Sequence, residues 1–190
     1  MSSGSPRWVL SGGLGSGKSL VRSLLEETGV DTIDADSMGH LVLQSDGAAF
    51  ADVSARWPHV VRDGEIDRRS LADVVFADPD ELDTLEALTH PHIFDMIRAR
   101  VEDIAAPVVV EIPLLAHGLG DEWGRIVVDC RDELRLQRAV ARGMDEEDVR
   151  ARMSAQPARE EWLAAADVVV PNHGSVEELK ETVARLAPLL

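Results

Sequence analysis

Gly12-Gly13-Leu14-Gly15-Ser16-Gly17-Lys18-Ser19 is the stretch on which the fold turns. It fits the pattern G-x-x-x-x-G-K-[ST], follows the apolar run Trp8-Val9-Leu10, and leads into apolar residues at helical spacing, Leu20, Val21, Leu24 and Leu25. Strand, glycine loop and helix in that order form a phosphate site. Glycines let successive backbone N–H groups converge on phosphate oxygens, and the helix N-terminus adds partial positive charge. Lys18 reaches the β- and γ-phosphates, and the Ser19 hydroxyl is the expected ligand for Mg²⁺. With glycine at roughly 7% of residues, the string arises by chance in about one chain of this length per hundred, so a plain glycine-rich turn is the weaker reading. Gly13, Leu14, Gly15, Ser16, Gly17, Lys18, Ser19 and Leu20 are therefore the expected nucleotide contacts.

Four further β-branched runs lie downstream: Thr32-Ile33, Val108-Val109-Val110, Ile126-Val127-Val128 and Val168-Val169-Val170. They are nearly all apolar rather than alternating, as a parallel sheet covered on both faces requires. Helical segments separate them, which predicts a doubly wound α/β fold with five parallel strands. The gap between the second and third runs, about 70 residues from Asp36 to Ala105, holds helical patterns and no convincing strand. Segments 67–75 and 79–101 carry apolar residues three and four apart behind Asp and Pro, as helix openings do. This region reads as a helical, substrate-binding insertion at the ligand-binding edge of the sheet.

The 190 residues contain 35 Asp plus Glu and 19 Lys plus Arg, a net charge of −16. A surface of that sign repels DNA, RNA and anionic lipid, so no nucleic acid or membrane partner is expected. A lone cysteine, Cys130, forms no internal disulfide and suits a reducing compartment. No apolar run is long enough to span a bilayer, and Met1-Ser2-Ser3-Gly4-Ser5-Pro6 lacks the pattern of a signal peptide. A cytoplasmic chain with a short flexible N-terminus is expected; the sequence assigns no oligomeric state.

Three groups of side chains bear on chemistry. Asp34-Ala35-Asp36 closes the second strand, and in extended chain residues i and i+2 share a face, so both carboxylates are expected toward the phosphate site. One could accept the proton of an attacking hydroxyl, and the alternative is that Asp36 caps the next helix. Arg131, Arg135, Arg138 and Arg142 are spaced four, three and four apart, one narrow helical stripe, and Arg142 stands at the helix end where a lid would hinge. A lid needs arginines to neutralise charge on a transferring phosphate, while a solvated helix face is the bland reading for any one of them. His90-Pro91-His92 lacks the companions of a zinc site; His90 is expected to contact a polar or anionic ligand or to cap a helix. The four scattered tryptophans read as packing residues, and Asn172-His173-Gly174 as either a plain turn or a wall of an adenine pocket.

In this order the residues resemble the dephospho-CoA kinase family, P-loop kinases of the nucleoside-monophosphate-kinase type. The match runs through Gly12 to Ser19, Ile33-Asp34-Ala35-Asp36, Asp63-Gly64-Glu65-Ile66-Asp67-Arg68, Leu85-Glu86 with Thr89-His90-Pro91, Glu111-Ile112-Pro113-Leu114-Leu115, Gln156, and Ala166-Asp167 with Asn172-His173-Gly174. The resemblance implies a P-loop NTPase fold with a core at 7–36 and 107–190, a CoA-binding insertion at about 37–105 and a lid at about 138–156. It implies transfer of the ATP γ-phosphate to the ribose 3′-hydroxyl of dephospho-CoA, with Mg²⁺. Asp36 is then the base or orienting carboxylate, Lys18 the holder of the transferring phosphate, Arg142 a lid arginine, Asp36, His90 and Arg68 acceptor contacts, and Asn172 part of the adenine site. Ala116-His117 stands where the family usually carries Phe-Glu. Two other readings stay open: a related small-molecule kinase with another acceptor, and a catalytically silent nucleotide-binding regulator.

Overall fold

The computed structural model describes residues 6–115, 118–120 and 122–190. The expected flexible N-terminus, at residues 1–5, and the Ala116-His117 departure lie outside the described residues. The chain divides into two compact units, one made of residues 1–33 and 104–190, the other of Asp34–Asp103.

The first unit is built on a five-stranded parallel sheet, flanked by helices. In chain order it runs β1 (Arg7–Ser11), α1 (Lys18–Glu27) and β2 (Asp31–Asp34); its remaining strands are counted after the two short ones of the other unit, as β5 (Val108–Glu111), β6 (Gly124–Asp129) and β7 (Val168–Pro171). All five expected strands are present, in the order β2-β5-β1-β6-β7. Leu10, Val109, Ile126, Val128 and Val170 meet Val21, Leu24 and Leu25 of α1 in one buried cluster, together with Leu179, Val183 and Leu186 from the last long helix, Val176–Leu186. The alternate strand residues Val9, Val108, Val110 and Val127 are equally buried, so both sheet faces are covered, and this is why these strands read as unbroken apolar runs. β1 is central, with β5 on one side and β6 on the other. Its C-terminal end therefore opens at the point where strand order reverses, the usual ligand edge of such sheets.

The second unit holds α2 (Ala35–Val42), α3 (Phe50–Arg56), β3 (Val61–Arg62), β4 (Glu65–Ile66), α4 (Arg68–Val75) and α5 (Pro79–Glu102). The first unit then continues with α6 (Asp132–Ala141), α7 (Glu146–Ser154), α8 (Arg159–Ala164) and α9 (Val176–Leu186). Asp67 and Asp78 accept backbone N–H bonds at the starts of α4 and α5, and Pro79 takes the first helical position of α5. Val42, Val53, Trp57, Val60, Leu71 and Val75 form the core of this unit, and the Trp57 indole N–H is satisfied by Glu81 at 2.8 Å. The expectation of no strand here is corrected by the antiparallel hairpin of β3 and β4. Its two-residue turn is Asp63-Gly64, with φ of 52° and 80°, the left-handed pair that a tight hairpin requires. Strands of two residues are too short to show periodicity, and the Asp-Gly pair was the available signal.

Gly64→Val should lower the stability of the protein by about 1–2 kcal/mol, because a β-branched residue is strained at positive φ. Gly64→Asn should stay within roughly 0.5 kcal/mol, since Asn tolerates that region. Urea denaturation of both variants checks the pair.

Candidate active site

The loop between β1 and α1 is held from several sides. Gly15 and Gly17 have φ of 75° and 98°, and added Cβ atoms would lie 2.3 Å from the Arg135 carbonyl oxygen and 2.3 Å from Asn172 Nδ2. Only glycine meets both demands. Lys18 Nζ donates to the Gly12 carbonyl at 2.7 Å and to the Gly13 carbonyl at 3.3 Å, so the ammonium lies across the loop it follows. Ser16 N–H closes back on the Gly13 carbonyl at 3.1 Å.

Beside the loop, Ser19 Oγ donates to Glu111 Oε1 at 2.9 Å, and Arg22 Nε donates to Glu111 Oε2 at 2.9 Å. Glu111 ends β5 and is 7% exposed. A hydroxyl and a carboxylate, both oxygen donors, suit Mg²⁺, which takes one or two protein ligands and completes its shell with water and phosphate oxygens. No group of three His, Cys, Asp or Glu able to cage a metal occurs among the described residues. Glu111 was part of the family signature but was not expected as a site residue; its place at the end of an apolar strand was the signal.

The arginine stripe divides by depth. Arg135 is 5% exposed. It donates to the Leu14 carbonyl at 2.9 Å, to Asp132 at 2.8 Å and to Gln156 Oε1 at 2.9 Å, and Gln156 Oε1 also accepts the Leu14 N–H at 2.8 Å. Arg138, half-buried, donates to the Asn172 carbonyl at 3.1 Å and to its Oδ1 at 3.4 Å, and Asn172 Nδ2 donates to the Ser16 carbonyl at 2.8 Å. Asn172 thus braces the loop and is buried behind it. Arg142 ends α6 and is exposed. Gly143 N–H bonds the Val140 carbonyl at 2.8 Å and Met144 N–H the Ala139 carbonyl at 3.3 Å, the paired bonds of a Schellman stop. Arg142 therefore sits on the turn that separates α6 from α7.

Asp129, at the end of β6, accepts both Nε and Nη2 of Arg159 at 2.7 Å and lies 3.2 Å from His173 Nε2. The Arg159 guanidinium holds its carboxyl below the usual carboxylate range. Burial pushes the Cys130 thiol up, so it stays protonated beside Arg138.

In the second unit a pocket of about 460 Å³ gathers Asp36, Arg68 and His90, the three expected acceptor contacts. Glu86, Thr89 and His40 complete its polar side, and Leu71, Val75, Phe76, Leu82, Leu85 and Ile93 its apolar side. The size suits part of a nucleotide-like ligand. Arg68 opens α4 directly behind the Asp67 cap, whose carboxyl is held low chiefly by the Ser70 hydroxyl, and it touches His40 of α2. His90 lies in α5 against Phe94, just before Pro91, which deprives the Ala87 carbonyl of its helical donor. The strand-alternation argument for Asp34 and Asp36 is corrected: α2 begins at Ala35, and Asp34 is the cap, accepting Asp36 N–H at 3.0 Å. Asp36 stands in the first turn of the helix, so the two carboxylates do not share a strand face.

A parallel sheet with a glycine loop, lysine and serine at its reversal point, and a second unit with a mixed polar and apolar pocket, defines a P-loop phosphotransferase. Structures of lower identity share this fold: dephospho-CoA kinase from Campylobacter jejuni (24% identical, TM-score 0.69, 96% of this chain and 95% of that one) and shikimate kinase from Acinetobacter baumannii (15%, 0.52, 97% and 94%). A crystal structure from Thermus thermophilus is 34% identical at a TM-score of 0.82, covering 98% of this chain and 99% of that one. The dephospho-CoA kinase family model matches residues 8–178. Dephospho-CoA kinases of Corynebacterium jeikeium and Streptomyces avermitilis are 40% and 42% identical, over 92% of this chain and 94% and 88% of theirs. The chain belongs to the dephospho-CoA kinase family.

Arg159→Leu should cost roughly 2 kcal/mol at neutral pH, less than the about 3–5 of a fully buried pair because Arg159 is 35% exposed. A depressed carboxyl contributes stability above its unfolded pKa of about 3.9 and loses it as pH falls through the lower folded value. The variant should therefore unfold at higher pH in an acid titration followed by tryptophan fluorescence, and its deficit against the parent should shrink below about pH 4.

Proposed function

We propose that this chain transfers the γ-phosphate of ATP to the ribose 3′-hydroxyl of dephospho-CoA, giving coenzyme A in the cytoplasm. Membership of the family carries the reading, and the pocket containing Asp36, Arg68 and His90 supports it. No helix among the described residues is long and apolar enough to cross a membrane.

In this mechanism the 3′-oxygen forms a bond to the γ-phosphorus as the bond from that phosphorus to the β–γ bridging oxygen breaks, and ADP leaves. Little covalent chemistry falls to the protein, so positioning and charge dominate. Asp36 takes the 3′-hydroxyl proton and releases it to water. Lys18 follows the phosphate charge from bridging to leaving oxygen. Arg142, on the turn after α6, supplies a lid guanidinium to the transferring phosphate, and Arg68 and His90 hold the acceptor. Asn172 belongs to the nucleotide site as the brace of its loop. Ser19 and Glu111 would hold Mg²⁺, which neutralises charge on the phosphates when bound. Closure of the lid excludes water and limits ATP hydrolysis.

An acceptor panel tests the reading. Purified protein with ATP and Mg²⁺ should form ADP with dephospho-CoA and not with nucleoside monophosphates, shikimate or gluconate. A different acceptor identifies a diverged small-molecule kinase, and ATP binding with no turnover on any acceptor identifies a silent regulator. Asp36→Asn should cut turnover by about 10²–10⁴-fold with ATP affinity nearly unchanged, the range for loss of a general base. Near-normal turnover would reduce Asp36 to a helix residue. Lys18→Ala should weaken both ATP binding and turnover, and unchanged kinetics would overturn the loop assignment.

A further inference from the structure

The loop carries two peptide groups whose carbonyls are pulled outward. The Leu14 carbonyl is held by Arg135 and the Ser16 carbonyl by Asn172. In a trans peptide the C=O of one residue and the N–H of the next point in opposite directions, and no described peptide is cis. Pulling those carbonyls one way turns the Gly15 and Gly17 N–H groups the other way. The Leu14 N–H, by contrast, is spent on Gln156. That bond turns the Gly13 carbonyl the opposite way, where it receives Ser16 N–H and Lys18 Nζ. The Leu14, Gly15 and Gly17 N–H groups are thereby oriented by side chains outside the loop.

We propose that Arg135 and Gln156 are positioning residues that preset the phosphate loop, acting as one clamp on Leu14, with Asn172 and its brace Arg138 as the second jaw on Ser16. The clamp is charged where it is buried. Arg135 is 5% exposed, and its guanidinium fills the space that a Cβ at Gly13 would occupy, 2.1 Å from Nη2. A cationic donor on the Leu14 carbonyl also polarises the Leu14–Gly15 peptide, which strengthens its N–H toward an anion. Arg138 and Gln156 stand at the two ends of the expected lid segment, so the same side chains that orient the loop anchor that segment.

The inference rests on the reading of residues 12–19 as a phosphate site and is independent of the acceptor. Its test is calorimetric titration of the full chain with Mg-ATP and with inorganic tripolyphosphate, joined to steady-state kinetics. Arg135→Ala and Gln156→Ala should each weaken both ligands by about tenfold, the value of one charge-assisted or buried hydrogen bond, while KM for dephospho-CoA moves less than about twofold. Arg135→Lys, which keeps the charge but lacks the planar fork that reaches Leu14, Asp132 and Gln156 together, should recover part of the loss. The double variant should be weaker than the worse single by no more than about twofold, because both side chains act on Leu14. Unchanged phosphate affinity in the single variants, additive losses, or an equal rise in KM for both substrates would overturn the proposal. If Arg135→Ala does not fold, the half-buried Gln156 alone decides the outcome. Absence of ATP binding in the parent protein would instead overturn the phosphate-site reading.

Discussion

The bond from the Arg135 guanidinium to the Leu14 carbonyl is the constraint on which the phosphate site depends. A glycine-rich loop has the freedom to hold phosphate and the same freedom to do otherwise. What selects one conformation is the surrounding framework. Arg135 reaches the loop from α6, Gln156 from the segment after α7, and Asn172 from the end of β7. The glycines are permissive, and Gly13, Gly15 and Gly17 are also spacers, since each leaves room for Arg135 or Asn172.

This arrangement addresses the problem set by a net charge of −16. Residues 131–159 hold seven arginines and six acids, a local balance of +1 that leaves −17 elsewhere. On the proposed function, anionic substrates approach against the global field and would be held by cations placed at short range, where low dielectric favours them over screened surface charge. Acids tune this set as well: Glu111 engages Arg22 and Ser19, and Asp129 fixes Arg159. Lys18, Arg22, Arg135, Arg138 and Arg159 are each oriented by a carboxylate, a carbonyl or an amide, so their charge is directed.

The sheet was legible because its signals are local. β-branched runs, the glycine loop and the Asp and Pro helix starts each lie within a few residues, and they locate β1, β5, β6, β7, α4 and α5 closely. Asp34-Ala35-Asp36 marks where local reading ended: whether two carboxylates share a face depends on where the strand stops, and it stops at Asp34, two residues too early. The stripe of arginines was visible as a spacing, but spacing does not say which way a helix faces. Arg135 and Leu14 are 121 residues apart, and Gln156 and Leu14 are 142 apart, so nothing in either neighbourhood announces the contact. Asp36 and His90 were singled out from the residues and Arg68 by family resemblance, and the α2, α4 and α5 packing that brings them to one pocket has no local signature.

The most direct test concerns the amides themselves. In a ¹⁵N-labelled sample, binding of Mg-ADP should move the Gly15 and Gly17 amide protons strongly downfield, as new hydrogen bonds to phosphate form. The Leu14 amide, committed to Gln156, should shift little. In Arg135→Ala the Gly15 response should be diminished. A Leu14 amide that responds as strongly as Gly15, or a Gly15 response unchanged by loss of Arg135, would contradict the account.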